Sequence, residues 1–258
     1  MVQSQLMFKD FARALNEQTD MRERIVKISR EITLNSKRAI FTLQRLGGLQ
    51  SATADKRALI FTEATQKFEQ IRLLFVALSN EVSGSDFWKH RRSITGCIQE
   101  YVEAVSFHHF LVNEQSSDAN KVLISMPELI ANYGLIDAHN VQIIPLTVED
   151  YVLGIADLTG ELMRYCINSS GVSGTTSVSL LICNLLRTLE SQMDALDSVY
   201  YLNELNKKLQ VLRQSLAKVE NVCYTVRILQ SEYPPEMLKQ LLENAVANAG
   251  NSSENMNE

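Results

Sequence analysis

Proline is scarce in this chain of 258 residues: Pro127, Pro145, Pro234 and Pro235 are the only four, and none precedes Pro127. Because proline breaks a helix interior, two very long stretches are free to be helical. Cysteine is thinly spread as well. Cys97, Cys166, Cys183 and Cys223 form no C-x-x-C unit and read as reduced, mostly buried thiols of an intracellular protein. The four histidines, His90, His108, His109 and His139, make neither an H-E-x-x-H nor a Cys/His ligand pattern, which argues against a structural zinc. No P-loop, G-x-G-x-x-G or G-x-S-x-G is present, so nucleotide hydrolysis, dinucleotide binding and serine-hydrolase chemistry lack support.

Long hydrophobic runs are missing too. None approaches the roughly 18 apolar residues of a membrane span, and the first ten residues lack the basic region and apolar core of a signal peptide. The expected location is cytoplasmic, with nuclear presence also open. Nor is there an excess of positive charge: 25 basic against 30 acidic residues leave a net charge of -5. The molecule as a whole has no bias toward a polyanion, so any nucleic-acid contact must come from a local basic face or from a partner.

What is present is apolar periodicity. A hydrophobic content of 45% is ample for a core, and the pattern predicts an all-α, single-domain bundle of about seven helices over residues 1–248, with a disordered polar tail at 249–258. One long helix is expected over 4–46, stopped by Gly47 and Gly48. A second runs to about residue 82, and a third follows the break at 83–86 and carries Glu100 and Glu103. Residues 113–145 read as a loop with one helical turn near 126–133. Thr147 and Asp150 form a capping-box-like start for a helix ending near residue 168. A Gly/Ser loop at 169–176, apolar-periodic segments at 178–196 and 199–229, and a short helix from Pro234 to about residue 247 complete the chain.

Two basic clusters stand out. On the first helix Lys27, Arg30, Lys37, Arg38 and Arg45 fall within an arc of about 100°, shared or bordered by Glu23, Glu31, Leu34 and Phe41. The third helix opens with Trp88, Lys89, His90, Arg91 and Arg92, a mixture that can grip phosphate and stack a base. Each cluster is read either as a solvated face or as a nucleic-acid contact.

The sharpest chemical signal is a pair of pairs. Glu100 and Glu103 lie about 60° apart on one helix, Asp157 and Glu161 about 40° apart on another. The glutamates fall opposite the stripe Ile94, Ile98, Tyr101 and Val105, on a side shared with Gly96 and Phe107. The second pair falls opposite Val148, Val152, Ile155, Leu162 and Cys166, beside Gly154, whose missing side chain is expected to leave room. Ordinary solvated charges explain such pairs. So does a shared site for a hard divalent cation, which prefers oxygen ligands and suits phosphodiester chemistry. His108 and His109 come about two turns later, and at most one could reach that site.

The segments Ser29-Arg-Glu-Ile-Thr33, Gln99-Glu-Tyr-Val-Glu-Ala-Val-Ser-Phe107, Gly154-Ile-Ala-Asp-Leu-Thr-Gly-Glu-Leu-Met-Arg164 and Ser215-Leu-Ala-Lys-Val-Glu-Asn-Val-Cys-Tyr224 closely resemble the translin family, in its translin-associated branch rather than in translin itself. The resemblance implies a seven-helix fold that assembles with translin into a hollow hetero-octamer. It also implies a Mg2+-dependent endoribonuclease, with Mn2+ as a substitute ion, acting on single-stranded RNA such as passenger-strand fragments of small interfering RNAs or transfer-RNA processing fragments. Single-stranded DNA is a further expected ligand. By the same resemblance Glu100, Glu103, Asp157 and Glu161 are the metal-binding catalytic residues, and Lys89, Arg91, Arg92, Arg30, Lys37 and Arg38 are candidate RNA contacts. Asn35 stands where family members often have Glu, a basic N-terminal extension is missing, and the 113–145 connection is short. The rival reading is a non-catalytic scaffold that stabilises translin.

Overall fold

The computed structural model describes residues 2–48, 54–82, 86–115, 121–133, 135–136, 141–173, 176–200 and 203–233. Seven helices occupy them: α1 (Val2–Gln44), α2 (Ala54–Glu81), α3 (Asp86–Asn113), α4 (Met126–Asn132), α5 (Val148–Ser173), α6 (Thr176–Val199) and α7 (Asn203–Glu232). No strand forms among the described residues, only one bridge between Ile136 and Gln142. The all-helical expectation holds, but the count is reached differently. The turn near 126–133 is a helix in its own right, because Ser125 and Glu128 close a full capping box around Pro127. The short helix expected from Pro234 and the tail at 249–258 lie outside the described residues.

The long helices are neighbours in a fixed order: α2 lies against α1, α1 against α3, α3 against α5, α5 against α7, and α7 against α6. One hydrophobic cluster runs through all of them, with Phe75, Tyr101, Phe107 and Phe110 among its fully buried side chains. Each such burial is worth about 1.5–3 kcal/mol before the cost of ordering the chain. The loop before α5 is tied to this core rather than draped over it. Tyr101 donates its hydroxyl to the Tyr133 carbonyl at 2.5 Å and Tyr151 donates to the Ile124 carbonyl at 2.6 Å.

Two expectations are corrected by packing. Phe107, expected beside the glutamates, is fully buried with its ring 6.0 Å from that of Tyr165, because α3 is covered on both flanks by α1 and α5. Val148, assigned to the core stripe of α5, is exposed in its first turn. A third concerns length. α5 continues through Ser169 and Ser170, whose hydroxyls donate to the Cys166 carbonyl at 3.2 and 2.7 Å, so residues expected to form a loop turn inward. Ser170 also meets the Ser179 hydroxyl of α6 at 2.8 Å. All four cysteines are free and buried, and no helix among the described residues is long and apolar enough to cross a membrane.

Candidate functional site

The site begins with a register device. Thr147 caps α5 by accepting the Asp150 N–H at 3.1 Å and donates its own hydroxyl to Asp150 Oδ2 at 2.6 Å. Asp150, fully buried, then receives the Thr95 hydroxyl and, at 3.2 Å, the Gln99 side-chain amide, both from α3. Arg91 completes the joint through Glu149 at 2.5 Å. The first turn of α5 is thereby fixed against the first half of α3.

One turn further along, the two helices meet at Gly154. A Cβ there would stand 2.6 Å from Val102 Cβ and 2.8 Å from the Gln99 carbonyl oxygen. The room expected beside Gly154 does not exist: the missing side chain is used for close approach, and Val102 fills the space. Glu103 follows Val102, and Asp157 lies one turn after Gly154, so this contact brings the two acidic pairs together.

The electrostatics record that convergence. Burial first, then the charges of Asp157, Glu100 and Glu161, push the Glu103 carboxyl up to about 8, against a smaller opposing pull from Lys208. Glu103 has no hydrogen bond or ion pair among the described residues. Its three companions are matched with cations. Lys37 reaches Glu100 at 3.1 Å, Lys208 reaches Asp157 at 2.5 Å, and Arg164 reaches Glu161 at 2.9 Å. Gln44 donates to Glu161 Oε2 at 2.7 Å, while its own amide oxygen is buried without a partner.

In this arrangement no three His, Cys, Asp or Glu side chains among the described residues stand close enough together to hold a metal ion. The chemistry of the donors nevertheless fits a hard divalent cation. All four are carboxylates, Glu103 among them is unpartnered, and the buried amide oxygen of Gln44 lies at the edge. Lys37 and Arg164, both more than half exposed, can swing away from Glu100 and Glu161 and free those oxygens.

Around the acids runs a trough. A cavity of about 1040 Å³ is lined by Glu100, Glu103 and Glu161 together with Lys37, Arg38, Arg45 and Phe41. A second, of about 490 Å³, continues between α1 and α3 and is lined by Arg30, Lys37 and Arg92. The structure therefore brings Arg30, Lys37, Arg38 and Arg92, from the two basic clusters, onto one path. Arg91 is elsewhere engaged, at the start of α5, with its guanidinium 6.0 Å from the Trp88 ring. Lys89 is exposed on the same turn. Neither His108 nor His109 faces the acids. His108 sits among Phe61, Phe68 and Tyr133 with Nδ1 3.0 Å from the Tyr133 hydroxyl, and His109 bonds the Lys121 carbonyl.

Sequence reasoning missed Gln44, Gln99 and Lys208. Gln44 and Gln99 carry no local signal. Lys208 carries a faint one, a lysine within the buried stripe Leu205, Leu209 and Leu212 of α7.

A family model described as the Translin family matches residues 20–230. Translin-associated protein X of Mus musculus is 38% identical over 247 residues, covering 90% of this chain and 81% of the mouse protein. The Translin-associated protein X homolog of Schizosaccharomyces pombe is 31% identical over 226 residues, covering 85% of each chain. A crystal structure of apo-NeC3PO shares the fold with a TM-score of 0.61, across 85% of this chain and 96% of that one, at 16% identity.

Proposed function

Since this chain belongs to the translin family, we propose that it is the metal-dependent nuclease subunit of a hetero-oligomer with translin, cutting single-stranded RNA. The observation that carries this reading is Glu103, a half-buried carboxyl with no partner among the described residues, crowded by the charges of three further acids and opening onto a basic trough. A protein that needed only a stable helix bundle gains nothing from that arrangement, because a half-buried acid crowded by like charges costs stability.

Glu100, Glu103, Asp157 and Glu161 would hold the cation. Bound there, Mg2+ or Mn2+ supplies Lewis acidity toward a phosphodiester. The chain's own groups do the rest. Glu103 keeps its proton at neutral pH in the metal-free chain and releases it as a cation is taken up, so binding tightens as pH rises. Arg38, which has no ion pair among the described residues, and Arg92 offer charge to the strand's phosphates along the trough. Phe41, 75% exposed on the wall of the cavity, presents a flat face to an unpaired base. A duplex hides its bases from such a platform, which favours a single strand. The choice of RNA over DNA rests on the family resemblance.

The first turns of α1 favour an assembly. Met7, Phe8, Phe11 and Leu15 are all about half exposed or more, a density of apolar surface that suits a protein partner. The same surface is what a non-catalytic scaffold would need, so activity decides between the readings. The test is cleavage by the pair co-expressed with translin, on single-stranded RNA, single-stranded DNA and duplexes, with and without Mg2+. Metal-dependent cutting of single-stranded RNA that is lost in Glu103→Gln and Asp157→Asn is the expected result. Wild-type rates in either variant would refute the site, and stable co-assembly without any cleavage would favour the scaffold.

A further inference from the structure

Lys208 stands apart from the other cations of the acidic site. Lys37 and Arg164 are 61% and 59% exposed, so water solvates them and they can swing away from their acids at little cost. Lys208 is 19% exposed and comes from α7, between the buried Leu205 and Leu209. Its ammonium has three protons to donate, and all three find acceptors: Asp157 Oδ2 at 2.5 Å, Gln99 Oε1 at 3.3 Å and the Leu153 carbonyl at 3.3 Å. Those acceptors belong to α3 and α5, the two helices that carry the acids. A saturated, half-enclosed ammonium against one carboxylate is a positive charge built into the site.

We infer that Lys208 is a resident counter-ion, which holds the acidic site together while no divalent cation is bound and is displaced from Asp157 when one enters. The inference rests on the proposed metal site and names the residue that regulates its filling. The physical ground is competition. An ammonium in contact with one oxygen of Asp157 and a doubly charged ion at the same carboxylate repel each other across the width of that group. The alternative to displacement, a wholly structural lysine, would leave Lys208 in place whatever the site contains. Displacement also reaches beyond the site, because the lysine's stem lies in the α5–α7 contact and its release alters how α7 is held.

Two readouts test this on the full chain assembled with translin, neither of them catalytic. The first is the rate at which Lys208 is acylated by an amine-reactive reagent, followed by peptide mass spectrometry in EDTA and in saturating Mn2+. The second is Mn2+ affinity from the resonance signal of free Mn2+, for wild type, Lys208→Met and Lys208→Arg. The expected results are a several-fold rise in Lys208 acylation on adding Mn2+, and Mn2+ binding about tenfold tighter in Lys208→Met but not in Lys208→Arg. Acylation unmoved by Mn2+, or a Lys208→Met affinity no tighter than wild type, overturns the inference while leaving the metal site standing. Failure of both wild type and Lys208→Met to bind Mn2+ overturns the inference and the metal site together. The acylation readout uses the wild-type chain, so it decides the matter even if Lys208→Met does not fold.

Discussion

Gly154 of α5 and Val102 of α3 are in such close contact that a single added carbon on Gly154 would stand 2.6 Å from Val102 Cβ. The obstruction is the root of a branched side chain and, at 2.8 Å, the backbone oxygen of Gln99, neither of which can turn aside. The spacing of the whole acidic site is set by this contact.

Gly154→Ala should therefore push α5 away from α3. Overpacking of this kind costs about 1–3 kcal/mol, measurable by urea unfolding. Cleavage at a temperature where the variant is fully folded should fall further than the stability loss accounts for, since Glu103 and Asp157 separate. Unchanged activity in a destabilised variant would mean that the helix contact does not set the site.

Stability without metal should depend on pH with a sign fixed by Glu103. Its folded value of about 8 lies above the usual 4.5, so between those limits the folded chain holds a proton that the unfolded chain has lost. Stability is then full at low pH and falls as pH rises through that window, by about 3–5 kcal/mol in all. Glu103→Gln should abolish the decline and be more stable than wild type at pH 8 in EDTA, while losing cleavage. A variant that keeps the decline would place the titrating group elsewhere.

His108 should produce the opposite slope. Burial, then the neighbouring His109, lowers it to about 4 from 6.5, so on acidification the unfolded chain gains a proton that the folded chain refuses. Stability is lost as pH falls through 6.5 toward 4, by about 2–3 kcal/mol. In wild type the two slopes oppose each other below pH 6.5. Glu103→Gln unmasks the acid limb, and adding His108→Gln to it should flatten the profile. His108→Gln alone should leave RNA cleavage unaltered, because the ring faces Phe61 and Phe68 and not the acids.

Phe41→Ala should weaken single-stranded RNA binding by about 1–3 kcal/mol, the worth of one stacked base. Thermal stability should stay put, since the side chain is 75% exposed. Phe41→Trp should retain affinity. Equal RNA affinity in all three, measured at one salt concentration, would remove Phe41 from the binding path.

Local features were legible in advance and long-range ones were not. The extents of α1, α2 and α3 follow from unbroken periodicity in a stretch without proline, and the Thr147 cap follows from its spacing to Asp150. The overrun of α5 past Ser169 escaped notice because serine and glycine mark loops on average, whereas here the hydroxyls bond back to Cys166. Phe107 was misplaced because a helix enclosed on both flanks has no free side to find. The four acids were visible as two pairs at helical spacing. Their meeting depends on Gly154, which looked like empty space, and their counter-charges depend on residues far along the chain: Lys208 lies 51 positions beyond Asp157, and Gln44 lies 117 before Glu161.

The neighbour order α1, α3, α5, α7 gives the site no address in any one segment. The first of these helices brings Lys37 and Gln44, the next two bring the carboxylates, and the last brings the ammonium. A chain cut after Val199 would keep every acid and lose the charge that balances Asp157. Such a fragment would carry the whole sequence signature of the site yet fold, if at all, with its carboxylates driven apart. The balanced arrangement of acids and cations is thus a property of the finished bundle, complete only with α7 in place.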